Sequence, residues 1–168
     1  SGHYDLSLEA AEQVITCLVD PEDHPRAREI LVSMLLRMQT LCLKSDPLLA
    51  SQAIEYASQV AVTPEQRAQV LLASGDLLAA SAEVEAAIES WLKILYDPEL
   101  ADVSIQTDGG VLQANLLVRR RLTGDVGRGG EPISDVVDRL AADALENAPA
   151  DQPLVLTTIA RRFPGSST

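Results

Sequence analysis

The sequence predicts an all-α protein, an α-solenoid of stacked antiparallel helix pairs with about eight helices in a single domain. Three observations predict it. Apolar residues recur at intervals of three and four along most stretches free of proline and glycine, the period of an amphipathic helix. Helix-start signals recur between those stretches: Asp46-Pro47 and Thr63-Pro64 each place a capping side chain before a proline at the first helical position. Hydrophobic residues make up 46% of the chain but aromatics only 3%. The core must then be aliphatic and alanine-rich, as in closely packed helices. Alternating β-branched runs are missing, which argues against any substantial sheet.

The elements follow in order. A first helix is predicted from about residue 6 to 19, with Leu8, Ala11, Ile15 and Leu18 on one face. Pro21 and Pro25 bracket a turn. A second helix, about 25–44, carries Ala27, Ile30, Leu31, Met34, Leu35, Met38, Leu41 and Cys42, with Leu36 and Leu43 widening the stripe. Such breadth predicts burial on more than one side. A third helix follows Asp46-Pro47 and runs to about Val60, burying Leu49, Ala53, Ala57 and Val60. Thr63 and Gln66 stand at capping-box spacing and open a fourth, with Ala68, Leu71, Leu72, Gly75, Leu78 and Ala79 on one side. A fifth, about 81–96, buries Val84, Ala87, Ile88, Trp91, Leu92 and Leu95. Residues 97–110 are polar and contain a double glycine, so they read as a loop. A sixth helix is expected over about 111–122, and Gly124, Gly127, Gly129 and Gly130 then break the chain. A seventh carries Ile133, Val136, Val137, Leu140, Ala141, Ala144, Leu145 and Ala148, and a short eighth runs from Pro153 to about Phe163.

The stretch from Pro64 to Pro98 is the most specific. Leu71, Gly75, Leu78, Ala87, Trp91, Ile94 and Pro98 fall close to the 34-residue tetratricopeptide pattern, in which small residues let paired helices approach. A glycine inside a helix costs about 1 kcal/mol relative to alanine. Close approach of a neighbouring helix is the compensation expected at Gly75. The chain thus divides into generic helix pairs over 1–62, a tetratricopeptide-like hairpin over 63–100 and C-terminal helices over 111–164.

Charge narrows the partners. The net charge is −12, and the first 100 residues carry 6 Lys+Arg against 16 Asp+Glu. An acidic body repels phosphate backbones and anionic lipid surfaces, which excludes nucleic acid and leaves a membrane only as an indirect partner. No run approaches the roughly 18 apolar residues of a membrane span. Ser1-Gly2 reads as the remnant of a removed tag, so the compartment stays open between intracellular and periplasmic.

Chemistry-bearing residues are sparse. Cys17, Cys42, His3 and His24 have no metal-ligand spacing, and the cysteines read as small buried hydrophobes. The glycines at 124–130 lack the strand before and the Lys-Ser/Thr after that a phosphate loop requires. Asp102 and Asp108 do not fit a calcium loop, and pairs such as Glu85 and Glu89 are what any acidic helix face produces. No nucleophile, base and orienting group stand together, so no enzyme, cofactor or metal is expected. One candidate remains: Arg119, Arg120 and Arg121, the only basic run on an acidic chain. It reads either as a docking patch for an acidic peptide or another copy of the chain, or as cations placed favourably in a helix's last turn.

From Ala87 onward the order of segments carries a resemblance. The helix ends Leu95-Tyr-Asp-Pro-Glu-Leu100, a variable stretch and an arginine-rich helix follow, and the chain closes on Ile159-Ala-Arg-Arg-Phe-Pro-Gly-Ser166. That ending is similar to the repeat endings of bacterial tetratricopeptide-type proteins. Over about 64–168 the order resembles the helical segment of planctomycete-type proteins that join β-propeller repeats to an α-solenoid, some of them membrane-coat-like. The resemblance implies a non-enzymatic architectural segment of a larger bacterial protein. Its partners would be proteins or other domains of the same chain, with self-association as a further expectation. The alternative is a peptide-binding adaptor with a polar groove.

Overall fold

The computed structural model describes residues 25–107, 109–123 and 132–146, together with Glu9 and Gln13. The predicted 6–19 helix, apart from those two helical and exposed residues, lies outside the described residues, as does the predicted helix from Pro153. The described chain is mostly helical. Its elements are α1 (Pro25–Cys42), α2 (Pro47–Val60), α3 (Pro64–Ala80), α4 (Val84–Tyr96), α5 (Pro98–Ala101), β1 (Ser104–Thr107), β2 (Gly110–Gln113), α6 (Ala114–Leu122) and α7 (Ile133–Glu146).

The predicted starts carry the caps the sequence specifies. Asp46 Oδ1 accepts from the Leu49 amide at 3.1 Å. Thr63 Oγ1 accepts from the Gln66 amide at 3.2 Å, and Gln66 Oε1 accepts in return from the amides of Thr63 and Val62. These bonds satisfy amides that a helix's first turn leaves without partners. The end of α3 is closed differently. Glu83 N donates to Leu78 O and Ala82 N to Ala79 O, the paired bonds of a Schellman turn. That turn holds Ala82 at φ 64°, a left-handed conformation normally taken by glycine.

Two hydrophobic cores form, and α3 belongs to both. Leu31, Val32, Leu35, Met38 and Cys42 of α1 pack with the buried face of α2, and Val70, Ala73 and Leu77 of α3 close that core. Ala68 and Leu72, on another side of α3, join α4, α6 and α7 in the second. The helix faces predicted from periodicity in α2, α4 and α7 are the faces that pack.

The α3–α4 pair is locked at one point. A side chain at Gly75 would collide with the Trp91 indole, which lies directly over the α3 backbone. Trp91 Nε1 donates to Leu72 O at 3.3 Å and Ser90 Oγ to Leu71 O at 3.0 Å. The close approach expected from Gly75 is therefore what this glycine permits.

Two expectations are corrected. Residues 97–110 are not a loop: Asp97 caps the short α5, accepting from the Glu99 amide at 2.9 Å, and an antiparallel hairpin follows with Ile105 opposite Leu112. The last helix of that region accordingly begins at Ala114, not Val111, because Gly110–Gln113 is strand. The signal was short: a single buried residue, Ile105, in a four-residue strand cannot establish a period of two. Second, α1 buries one face only. Ala27, Ile30, Met34 and Leu41, expected in the core, are exposed, while Arg28 and Gln39 are buried in their stead. The core takes the arc through Leu31, Leu35, Met38 and Cys42, and the second apolar stripe points away from it.

Candidate functional site: a polar cleft at the seam of the two cores

Where the two cores meet along α3, the surface is concave. The cleft encloses about 460 Å³ and is lined by α1, α3, β1 and α6. Its floor is Leu72, Ala73, Ile105 and Leu117, and its walls are polar: Ser33, Arg37 and Thr40 from α1, Gln69 and Asp76 from α3, Gln106 and Thr107 from β1, and Arg121 from α6.

Helical spacing presents these groups on one side. Arg37 and Thr40 stand one turn apart on α1, and Gln69, Ala73 and Asp76 follow the same row of α3. The hairpin supplies the third wall. It is anchored at its base by Ala114 N donating to Val103 O at 2.9 Å, and at its tip by Thr107 Oγ1 donating to Gly110 O at 2.7 Å. Gly110 holds φ 115°, which only glycine adopts without strain.

Electrostatically the cleft is organised by one pair. Arg121 Nε and Nη2 donate to the two Asp76 carboxylate oxygens at 2.6 and 2.7 Å, a two-pronged contact about one-third exposed. Such a fork is more directional than a single ion pair and ties α6 to α3. Across from it Arg37 is exposed, and Thr40 Oγ1 donates to Leu36 O at 3.0 Å. The walls offer donors and acceptors side by side with no single dominant charge. That suits a peptide backbone better than a compact ion.

The three arginines of the run do not share one environment. All three residues lie in the last turn of α6, where cations complement the helix dipole. Successive residues diverge by about 100° around a helix. Arg121 thus turns into the cleft while Arg119 and Arg120 are exposed. Of the three, Arg121 is engaged by Asp76, and Arg119 and Arg120 stand on the exposed surface beside it.

The other sequence candidates are dispersed. Glu85 is bound by Arg139 Nη2 at 3.1 Å on an exposed surface, and Asp102 accepts from Asn115 Nδ2 at 3.4 Å. Cys42 is a buried free thiol; burial pushes its pKa up from 9.0 and the Asp46 carboxylate adds to the rise, the reverse of an activated nucleophile. Among the described residues, no three His, Cys, Asp or Glu side chains gather where they could hold a metal ion. His3, His24, Cys17, Asp108 and the glycines from 124 to 130 lie outside the described residues. The cleft is not legible in the sequence because it gathers side chains from four elements far apart in the chain, one of them the short hairpin strand β1. Asp108-Gly109, a dipeptide favoured in two-residue hairpin turns, was the available signal.

No protein-family model, curated protein or solved structure matches this chain.

Proposed function

We propose that the chain is a non-enzymatic architectural segment, an α-solenoid unit that works through protein–protein contacts, and that the cleft at its seam receives an extended peptide segment of a partner or of a neighbouring domain. The observation that carries this reading is α3, one helix with two apolar faces in two separate cores. Stacked helix pairs share helices in this way, and sharing leaves a groove along one side of the stack. The same logic is compatible with the coat-like, propeller-bearing setting that the C-terminal sequence resembles.

The adaptor alternative gains from a specific feature, the polar walls of the cleft. Arg37, Thr40, Gln69, Gln106 and Thr107 provide the hydrogen-bonding complement that an extended backbone needs, over an apolar floor that would take alternate side chains. Selection of a random peptide library on the immobilised chain tests the reading. Enriched peptides should lose binding to Gln69→Trp, which fills the cleft from α3. Failure to enrich any sequence, or binders indifferent to Gln69→Trp, would overturn it.

A further inference from the structure

The second apolar stripe of α1 has no assigned role. Ala27, Ile30, Met34, Arg37 and Leu41 follow one another at steps of three, four, three and four, the heptad spacing of a coiled-coil seam, and Lys44 continues the step beyond the helix end. All are exposed, with Ile30 at 69%, Met34 at 40% and Leu41 at 58%. Over about 21 Å of helix the stripe is interrupted only by Arg37, in contrast to the scattered single residues that any surface carries. An open recess of about 570 Å³ lies against its first three turns, lined among the described residues by Arg26, Glu29, Ile30, Ser33, Met34 and Arg37.

Charge selects the occupant. On its exposed side α1 holds Arg26 and Arg37 against the single acid Glu29, with Lys44 just beyond the helix end, on a chain whose net charge is −12; Arg28 is buried on the other side. That exposed side is locally cationic on an acidic protein, and Arg37 stands within the apolar seam itself. A facing helix with acidic residues beside its own apolar seam would pair with Arg26, Arg37 and Lys44. A second copy of α1 packed parallel and in register would oppose arginine to arginine, and an antiparallel copy would offer no acid at the seam to pair with Arg37.

We infer that this face of α1 docks an acidic amphipathic helix of a partner protein, packed seam to seam along Ile30, Met34 and Leu41. The inference rests on the protein-contact reading above and uses a face of α1 that shares only Ser33 and Arg37 with the cleft.

The test uses the full chain and two labelled synthetic peptides of about three heptads, with leucine at the seam positions and either glutamate or lysine at the flanking ones. The acidic peptide should bind by fluorescence anisotropy, and weaken severalfold between about 0.05 and 0.3 M salt. Met34→Glu should reduce its affinity about tenfold or more, whereas Gln69→Trp, which blocks the cleft alone, should leave it unchanged. In the free chain Met34 should be oxidised by peroxide much faster than Met38, which is 5% exposed.

Four results would overturn the proposal. These are acidic-peptide binding that survives Met34→Glu, preference for the lysine peptide or for phosphatidylglycerol vesicles, a dimer of the free chain that Met34→Glu dissociates, and equal protection of Met34 and Met38. The last would mean that the chain's own residues cover the face. Library peptides indifferent to Gln69→Trp, with an acidic helix that binds and is lost with Met34→Glu, would mark failure of the cleft reading alone.

Discussion

α1 and α4 are both amphipathic, yet their periodicity carries different amounts of information. α4 has one apolar stripe, through Ala87, Ile88, Trp91 and Leu92, and all four residues are buried. α1 has two, and only the stripe through Leu31, Leu35, Met38 and Cys42 reaches a core. A helix whose apolar arc is narrower than its contact face has one way to pack. A helix whose arc is wider must be told by its neighbours which half to bury. Here α2 and α3 decide, and Ile30, Met34 and Leu41 are left facing outward.

The contrast can be broken most severely at the α3–α4 lock. Gly75→Ala drives a methyl group into the Trp91 indole, where the tryptophan also holds its bond to Leu72 O. Overpacking of this kind costs about 3 kcal/mol or more, since the contact is helix against ring with no flexible end to yield. Urea unfolding should show the loss, and Trp91→Ala should largely erase the further penalty of Gly75→Ala in the double variant.

The α1 comparison is sharpened by a matched pair. Leu35→Ala empties a site that is fully buried and should cost about 2–5 kcal/mol. Ile30→Ala, on the outward stripe, should stay within about 0.5 kcal/mol. Equal midpoints in urea for the two variants would contradict the facing of α1.

At the seam, Asp76→Asn removes the charge that Arg121 grips with two bonds. The pair is about one-third exposed, so solvent screens it and a loss of about 1 kcal/mol is expected, shrinking in high salt. Arg119→Gln, on the same helix turn but exposed, should change stability much less.

A pH test bears on the α1–α2 core. Cys42 has its pKa raised above 9.0 by burial, with Asp46 adding to the rise. The folded state therefore holds the thiol proton more tightly than the unfolded state does. The associated stability is present below pH 9.0 and is lost as pH climbs through the raised value. The urea midpoint should fall across that window, and fall less in Cys42→Ala, where the titrating group is gone.

The smallest effect is a gain. Ala82 sits at φ 64°, so Ala82→Gly relieves left-handed strain. Part of that relief is offset by the greater freedom of glycine in the unfolded chain, leaving about 0.5 kcal/mol of stabilisation. A higher thermal midpoint would check it.

Helix starts were readable because a cap is a local device: Asp46, Thr63, Gln66 and the prolines after them act within one turn. The need for close approach at Gly75 was readable because glycine inside a helix is a cost that something must offset. The role of Arg121 was not, since its partner Asp76 lies 45 residues earlier in the chain and nothing local pairs them.

By itself, then, the sequence determined the mostly helical character of the described chain, most of its helix boundaries and the apolar faces of α2, α4 and α7, all properties set within a few residues by periodicity, capping and steric preference. The tertiary structure alone decided which stripe of α1 is buried, that residues 104–107 pair with 110–113, and that Arg121 meets Asp76 at a cleft between two cores. Those outcomes depend on elements far apart in sequence competing for the same apolar surface, and that competition is resolved only when the helices pack.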